Sequence, residues 1–335
     1  MEPMTRSRSR SPLLAAAVAA LLATLSLTGA ARAQTLHLGV SGTVSDVTGR
    51  SAPAGERYAV AVRGARAGAS RVDLGLAYDS GGGAAQLDFG VQANDTFGPL
   101  GNVVGEGRLT LRSDAQAQGD VSVRGVLGPV ALGLRLSAFS ADPGLFDPLA
   151  VAAADRPDFG SGGFGASFSA SGRVSRTVVL EASPALYVVP AGLAAGATAR
   201  VRLLRALGPN ELSVRALGYL APAATAVDTA VGVGLTVHRR RAPDLDGAVY
   251  LGWSPRGLAP GATTSLAQQL GPVLASLKLE AEPFRLDVPP YRARLALSFP
   301  AGPGSAHVDG AGATGPKGFS GSLGLSYDLP VTLAE

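Results

Sequence analysis

The chain has 335 residues, of which 29 are basic and 25 acidic, with three histidines, no cysteine, 45 glycines, 23 prolines and 46% hydrophobic residues. The lack of cysteine excludes a disulfide framework, thiolate zinc sites and thiol catalysis. The first 33 residues hold four arginines and Glu2, so the rest carries 25 basic and 24 acidic residues, too even a balance for a nucleic-acid surface.

Those first 33 residues read as a secretory signal peptide. Arg6, Arg8 and Arg10 make a basic start, Leu13 to Leu27 is almost wholly apolar, and Ala31-Arg32-Ala33 fits a small-x-small cleavage site. The apolar run is shorter than the roughly 20 residues that span a bilayer. The mature chain is expected from Gln34, as one domain over 34–335.

Beyond it the chain alternates. In Gly119 to Ala141, Val121, Val123, Gly125 and Leu127 share one strand face and Asp120, Ser122 and Arg124 the other. Gly128-Pro129 follows, where glycine supplies the positive φ that opens a type II′ hairpin turn. Alternation then resumes with Val130, Leu132, Leu134, Leu136 and Ala138 opposite Arg135 and Ser137.

Comparable segments are Leu36 to Val44, Tyr58 to Arg66, Arg71 to Asp79, Gln86 to Ala93 and Val103 to Ser113, before that hairpin. After it come Phe164 to Ser171, Arg173 to Ala182, Gly196 to Arg205, Glu211 to Leu220 and Ala230 to His238. Ala248 to Trp253, Val273 to Ala281, Tyr291 to Phe299 and Phe319 to Leu329 complete them. The expectation is about 16 strands, with 14 or 12 as alternatives. Long Pro- and Gly-rich connections, including 141–163, 254–272 and 300–318, alternate with tight ones such as Gly128-Pro129 and Ala206 to Asn210. Connections 94–102 and 282–290 break the alternation by their length. Leu127-Gly128-Pro129 recurs as Leu207-Gly208-Pro209 eighty positions later, a faint internal echo.

Short turns at one rim, long loops at the other and an even strand count predict an all-β fold, a transmembrane antiparallel up-and-down β-barrel. No apolar helix of spanning length follows the signal, and only helices and closed barrels satisfy every backbone group in lipid. Segments of about nine to eleven residues suit a tilted membrane strand better than a soluble one. Tyr58, Tyr78, Phe139, Tyr219, Trp253, Tyr291, Phe299 and Phe319 lie near segment ends and are expected in interfacial girdles.

The polar face then becomes the lumen. Its strand interiors carry Arg63, Arg108, Arg112, Arg124, Arg135, Arg200, Arg202, Arg215, Lys278, Arg292 and Arg294 against Asp73, Asp88, Glu106 and Glu280. An arginine turned to lipid costs about 2–4 kcal/mol near the midplane, so this face points inward. Counting strand ends brings the balance to twelve bases against eight acids, which restricts the basic bias to mid-wall. Arg108, Arg112, Arg124 and Arg135 lie on three consecutive strands and are expected to form one patch.

The longest loop, Ala141 to Gly163, follows, carrying Asp142, Asp147, Asp155 and Asp158 against Arg156. An acidic loop beside an arginine-lined wall resembles the general porins, whose acidic loop folds into the lumen. The resemblance is architectural and implies a candidate constriction loop at those four aspartates. Two departures stand: the loop follows the seventh strand and not the fifth, and Val331 to Glu335 lacks a terminal aromatic, so that either Tyr327 stands in for it or the insertion machinery reads a different signal.

Catalytic and cofactor signatures do not assemble. Gly160 to Gly165 and Gly310 to Gly315 match G-x-G-x-x-G, but neither opens a helix after a strand, and both read as loop glycines. His37, His238 and His307 lack metal-ligand spacing. Ser305, His307 and Asp309 suggest a hydrolase site without a G-x-S-x-G elbow behind it. The expectation is therefore no enzyme, no metal and no cofactor. It is a porin-like outer-membrane channel for small, weakly anion-preferred solutes. Its partners would be outer-membrane lipid and the outer-membrane insertion machinery, with oligomerisation open and nucleic acid excluded. The alternatives are a non-conducting adhesive or structural barrel acting through its loops, and a soluble exported β-protein.

Overall fold

The computed structural model describes residues 34–46, 55–67, 69–80, 83–96, 98, 101–141, 162–222, 224, 226–238, 244–285, 289–315 and 318–331. Among them are β1 (Gln34–Asp46), β2 (Gly55–Ala67), β3 (Ser70–Asp79), β4 (Ala84–Thr96), β5 (Asn102–Arg112) and β6 (Ala117–Leu127). Next come β7 (Val130–Phe139), β8 (Gly163–Arg173), β9 (Val178–Val189), β10 (Gly192–Leu207), β11 (Asn210–Leu220) and β12 (Asp228–Val237). The last six are β13 (Asp244–Ser254), β14 (Gly257–Leu270), β15 (Val273–Ala281), β16 (Tyr291–Ala301), β17 (Gly304–Gly315) and β18 (Gly318–Val331). Each pairs antiparallel with its chain neighbours, and β1 pairs with β18 from Gln34↔Val331 to Asp46↔Ser320, closing one 18-stranded barrel.

The expected architecture holds, with 18 strands in place of 16. The connections read as 254–272 and 300–318 each contain a strand, β14 and β17. Both strands are rich in small residues, so their hydrophobic contrast is weak: the outer face of β17 is Ala306, Val308, Gly310 and Gly312. Complete hydrogen-bond ladders on both sides hold them in the wall. The second G-x-G-x-x-G motif lies inside β17, in a strand and not a loop.

The two added strands also regularise the rims. At one rim, the turn rim, β2 meets β3, β6 meets β7, β10 meets β11, β14 meets β15 and β16 meets β17, while the facing ends of β7 and β8, of β11 and β12 and of β15 and β16 lie at the other, the loop rim. The last of these no longer stands on the wrong side. Four of the tight turns are Gly-Pro, with φ of 58° at Gly128, 68° at Gly208, 59° at Gly271 and 56° at Gly302. A positive φ followed by proline is the backbone of a type II′ turn, whose twist matches the strands it joins.

Burial is inverted relative to a water-soluble sheet. Val249 and Leu251 on the outer face are 65% and 58% exposed, whereas Arg112 and Arg292 on the inner face are 6% and 4% exposed. An aliphatic exterior around a polar interior is stable only with hydrocarbon outside. Tyr78, Phe164, Trp253, Tyr291 and Phe319 stand exposed at the loop rim as a girdle. Phe139 and Tyr219 do not join it: Phe139 packs with Val189, Ala194 and Tyr187, and Tyr219 lines the interior. Nearness to a strand end suggested a girdle position, but strand parity turns both side chains inward.

Candidate functional site

The barrel encloses a cavity of about 1610 Å³, to which every strand except β12 contributes. Of the nine arginines expected on the lumen wall, Arg108, Arg124, Arg135, Arg215 and Arg294 line this cavity, and their partners divide the nine. Arg124 lies 3.2 Å from Glu106 and Arg135 lies 3.0 Å from Asp120. Arg108 lines the same wall and makes no ion pair among the described residues. These three form the patch. Arg112 leaves it: its side chain is 1% exposed, 3.1 Å from Asp114 and 3.8 Å from Asp79 at the loop rim. The Arg112 guanidinium hydrogen-bonded to Asp114 holds that carboxyl below the usual carboxylate range.

On the facing wall the arginines are cross-linked. Arg200 and Arg215 both donate to Asp246, at 3.1 and 2.7 Å, and Arg215 also reaches Ser213 and Tyr250. Arg202 bridges Glu181 at 2.8 Å and Glu211 at 2.6 Å. Arg292 joins Glu280 at 3.1 Å and Glu282 at 2.6 Å and donates to the Pro289 carbonyl. Arg294 stands 3.9 Å from Asp309. Glu181, Asp246 and Asp309 were absent from the sequence count because two lie in stretches read as connections and one in an irregular strand. They bring the inner wall nearer to charge balance.

The expected constriction loop carrying Asp142, Asp147, Asp155 and Asp158 lies outside the described residues. Another segment does enter the lumen. Between β15 and β16 the chain turns inward at Glu282 to Arg285. Phe284 is fully buried against Ala230, Ala248 and Tyr250, with its ring centroid 6.3 Å from that of Tyr250. The niche exists because inward positions on β13 and β14 are glycines: a Cβ on Gly252 would collide with the Phe284 ring, and one on Gly261 would come within 2.6 Å of it. Arg285 lies 3.7 Å over the Tyr219 ring centroid and 3.2 Å from Glu282. Sequence reasoning missed this segment because its seat is assembled from strands distant in the chain.

The imagined Ser305, His307 and Asp309 site does not assemble as a triad. The three share one face of β17, and the His307 Nε2 lies 3.2 Å from Asp328 on β18. Tyr327, on the last strand, donates its hydroxyl to the Ala301 carbonyl at 2.8 Å.

No family model and no curated protein matches the chain. Among solved structures it is similar to a bacterial polysaccharide outer membrane secretin, at 11% identity, with 90% of this chain and 98% of that one covered and a TM-score of 0.42. It is similar to a mutant of the Rh. blastica porin at 10% identity, with 89% and 99% covered and a TM-score of 0.43. It is also similar to a siderophore receptor from Pseudomonas aeruginosa at 12% identity, with 89% and 80% covered and a TM-score of 0.39. The chain is a closed antiparallel β-barrel of 18 strands.

Proposed function

We propose that this barrel is a passive diffusion channel of the bacterial outer membrane, inserted after removal of residues 1–33, that admits small solutes with a weak preference for anions. The observation that carries the reading is the 1610 Å³ cavity, ringed by charged side chains inside a wall whose outer face is aliphatic. A polar interior in a barrel of 16–18 strands holds water. The outer belt meets lipid, and β18 with Tyr327 is the segment offered to the insertion machinery. Oligomeric state follows from neither face.

The anion preference rests on Arg108. Its neighbours Asp88, Glu106 and Asp120 each have an arginine within 4 Å, at 3.8, 3.2 and 3.0 Å, whereas Arg108 has no such carboxylate among the described residues. An unpaired charge in a narrow polar passage concentrates counter-ions. In planar bilayers the protein is expected to give ohmic steps. Replacing Arg108 with Gln lowers the anion-to-cation permeability ratio by about twofold at low salt. A folded, membrane-inserted barrel that passes no current overturns the channel.

The inward segment Glu282 to Arg285 favours a second reading, a barrel filled by its own side chains that acts at its loop rim. The same recordings separate the two, since a filled barrel is silent.

A further inference from the structure

The seam where the first and last strands close the barrel holds a cluster that the channel reading does not use. His37 on β1 is the direct cross-strand partner of Asp328 on β18, and its Nδ1 lies 2.5 Å from Asp328 Oδ1. An ionised carboxylate has no proton to give, so the Nδ1–H donates. His307 on β17 approaches the other carboxylate oxygen, Nε2 to Oδ2, at 3.2 Å. One carboxylate therefore faces two imidazoles carried by different strands, hydrogen-bonded to His37 and in charge contact, without a hydrogen bond, with the His307 Nε2. Both side chains are largely withdrawn from solvent, 14% exposed for His37 and 27% for His307, and both border the cavity.

The surrounding charges are few. From β2, Arg63 faces the cluster beside His37, opposite Thr35 in the register. From β17 comes Asp309, and from β16 comes Arg294, which stands 3.9 Å from Asp309. From β18 the adjacent inward residues Gly324 and Ser326 are uncharged, as are Ala59 and Ala61 from β2. Arg63 and Arg294 offset Asp309 and Asp328. The group is neutral with both imidazoles unprotonated and gains two positive charges when both are protonated.

We propose that His37, His307 and Asp328 form an acid-responsive charge cluster in the lumen that raises the anion preference of the channel as pH falls through the imidazole range. The proposal rests on the channel reading. Imidazole is the side chain whose charge changes in the neutral to mildly acidic range, while carboxylates stay ionised down to about 4. Both imidazoles face one carboxylate, so a proton on either ring repels a proton on the other. Two charges at about 10 Å from a permeating ion, screened at 0.1 M salt, alter its local concentration by about twofold.

The test is the reversal potential across planar bilayers under a potassium chloride gradient, from pH 8 to pH 5. The wild-type anion-to-cation ratio is expected to rise about twofold. The double variant His37→Gln with His307→Gln is expected to stay flat, and Asp328→Asn to move the transition to lower pH, because the protonated imidazoles lose their counter-charge. A constant wild-type ratio, or an undiminished rise in the double variant, overturns the proposal while leaving the channel intact. A wild-type barrel that conducts nothing overturns the channel itself. The cluster is then judged by imidazole NMR titration of the detergent-solubilised wild type. Two-step coupled titration of two of its three histidines supports the cluster, and three independent single-step curves overturn it.

Discussion

Phe284→Ala is expected to release the Glu282 to Arg285 segment from the lumen wall and to raise single-channel conductance, with little change in the melting of the barrel. The ring is fully buried in a niche made by Gly252, Gly261, Tyr250, Ala230 and Ala248. Truncating a buried Phe to Ala costs about 3–5 kcal/mol, which corresponds to a shift of roughly 10²–10⁴ in the docking equilibrium. The hydrogen-bond ladders of the strands do not pass through this side chain, so the loss falls on the docked segment and not on the wall. Once undocked, Arg285 leaves the Tyr219 face, and Glu282 no longer supplies the second carboxylate to Arg292. Gly252→Ala tests the same contact from the other side, since its Cβ would occupy the ring position. Both variants are expected to make the chain cleavable after Arg285 by trypsin added from the loop rim, with larger current steps. Unchanged conductance together with a protected segment would show that the segment does not narrow the pore.

How far the sequence exposes this molecule depends on whether a feature is periodic or assembled. The faces were legible because a period of two and the cost of an arginine in lipid leave one solution for residues such as Arg124 and Arg135. The turn at Gly128-Pro129 was legible for its backbone chemistry. The same signal stands at Gly271-Pro272 and Gly302-Pro303 and would have located the ends of β14 and β17, whose small side chains hide their alternation. Parity, applied to Phe139 and Tyr219, would likewise have moved both rings from the girdle to the lumen. The Phe284 niche was not legible: its glycines sit on β13 and β14 and its alanines on β12 and β13, and nothing local in Glu282 to Arg285 announces them. Charge balance fell between these cases, because Asp246 and Asp309 count as lumen residues only once their strands are recognised. With them counted, most wall arginines are paired and the preference contracts to a local patch.

That contraction makes the second large prediction more selective than a general removal of arginines. Substituting Arg108, Arg124 and Arg135 together with Gln is expected to convert the weak anion preference into a cation preference, with the permeability ratio changing by about three- to tenfold at low salt and far less at 1 M. The size follows from what remains: Glu106 and Asp120, 31% and 14% exposed in their side chains, lose their partners and face the passage as bare carboxylates. Arg112 is left in place, because its side chain is buried beside Asp79 and Asp114 and its removal would strand charge at the rim. Loss of the Arg124 pair costs little stability, since exposed ion pairs are worth about 0–1 kcal/mol and the Arg124 side chain is 66% exposed. An exchange of partners, Arg124→Glu with Glu106→Arg, preserves the charge and is expected to preserve selectivity. Neutralising Arg200 and Arg215 instead leaves Asp246 as a single uncompensated carboxylate and is expected to shift the ratio less than the triple variant. If the triple variant retains the wild-type ratio, the ions are not passing along this wall, and selectivity lies with the facing wall, where Arg215, Asp246, Lys278 and Glu280 line the cavity.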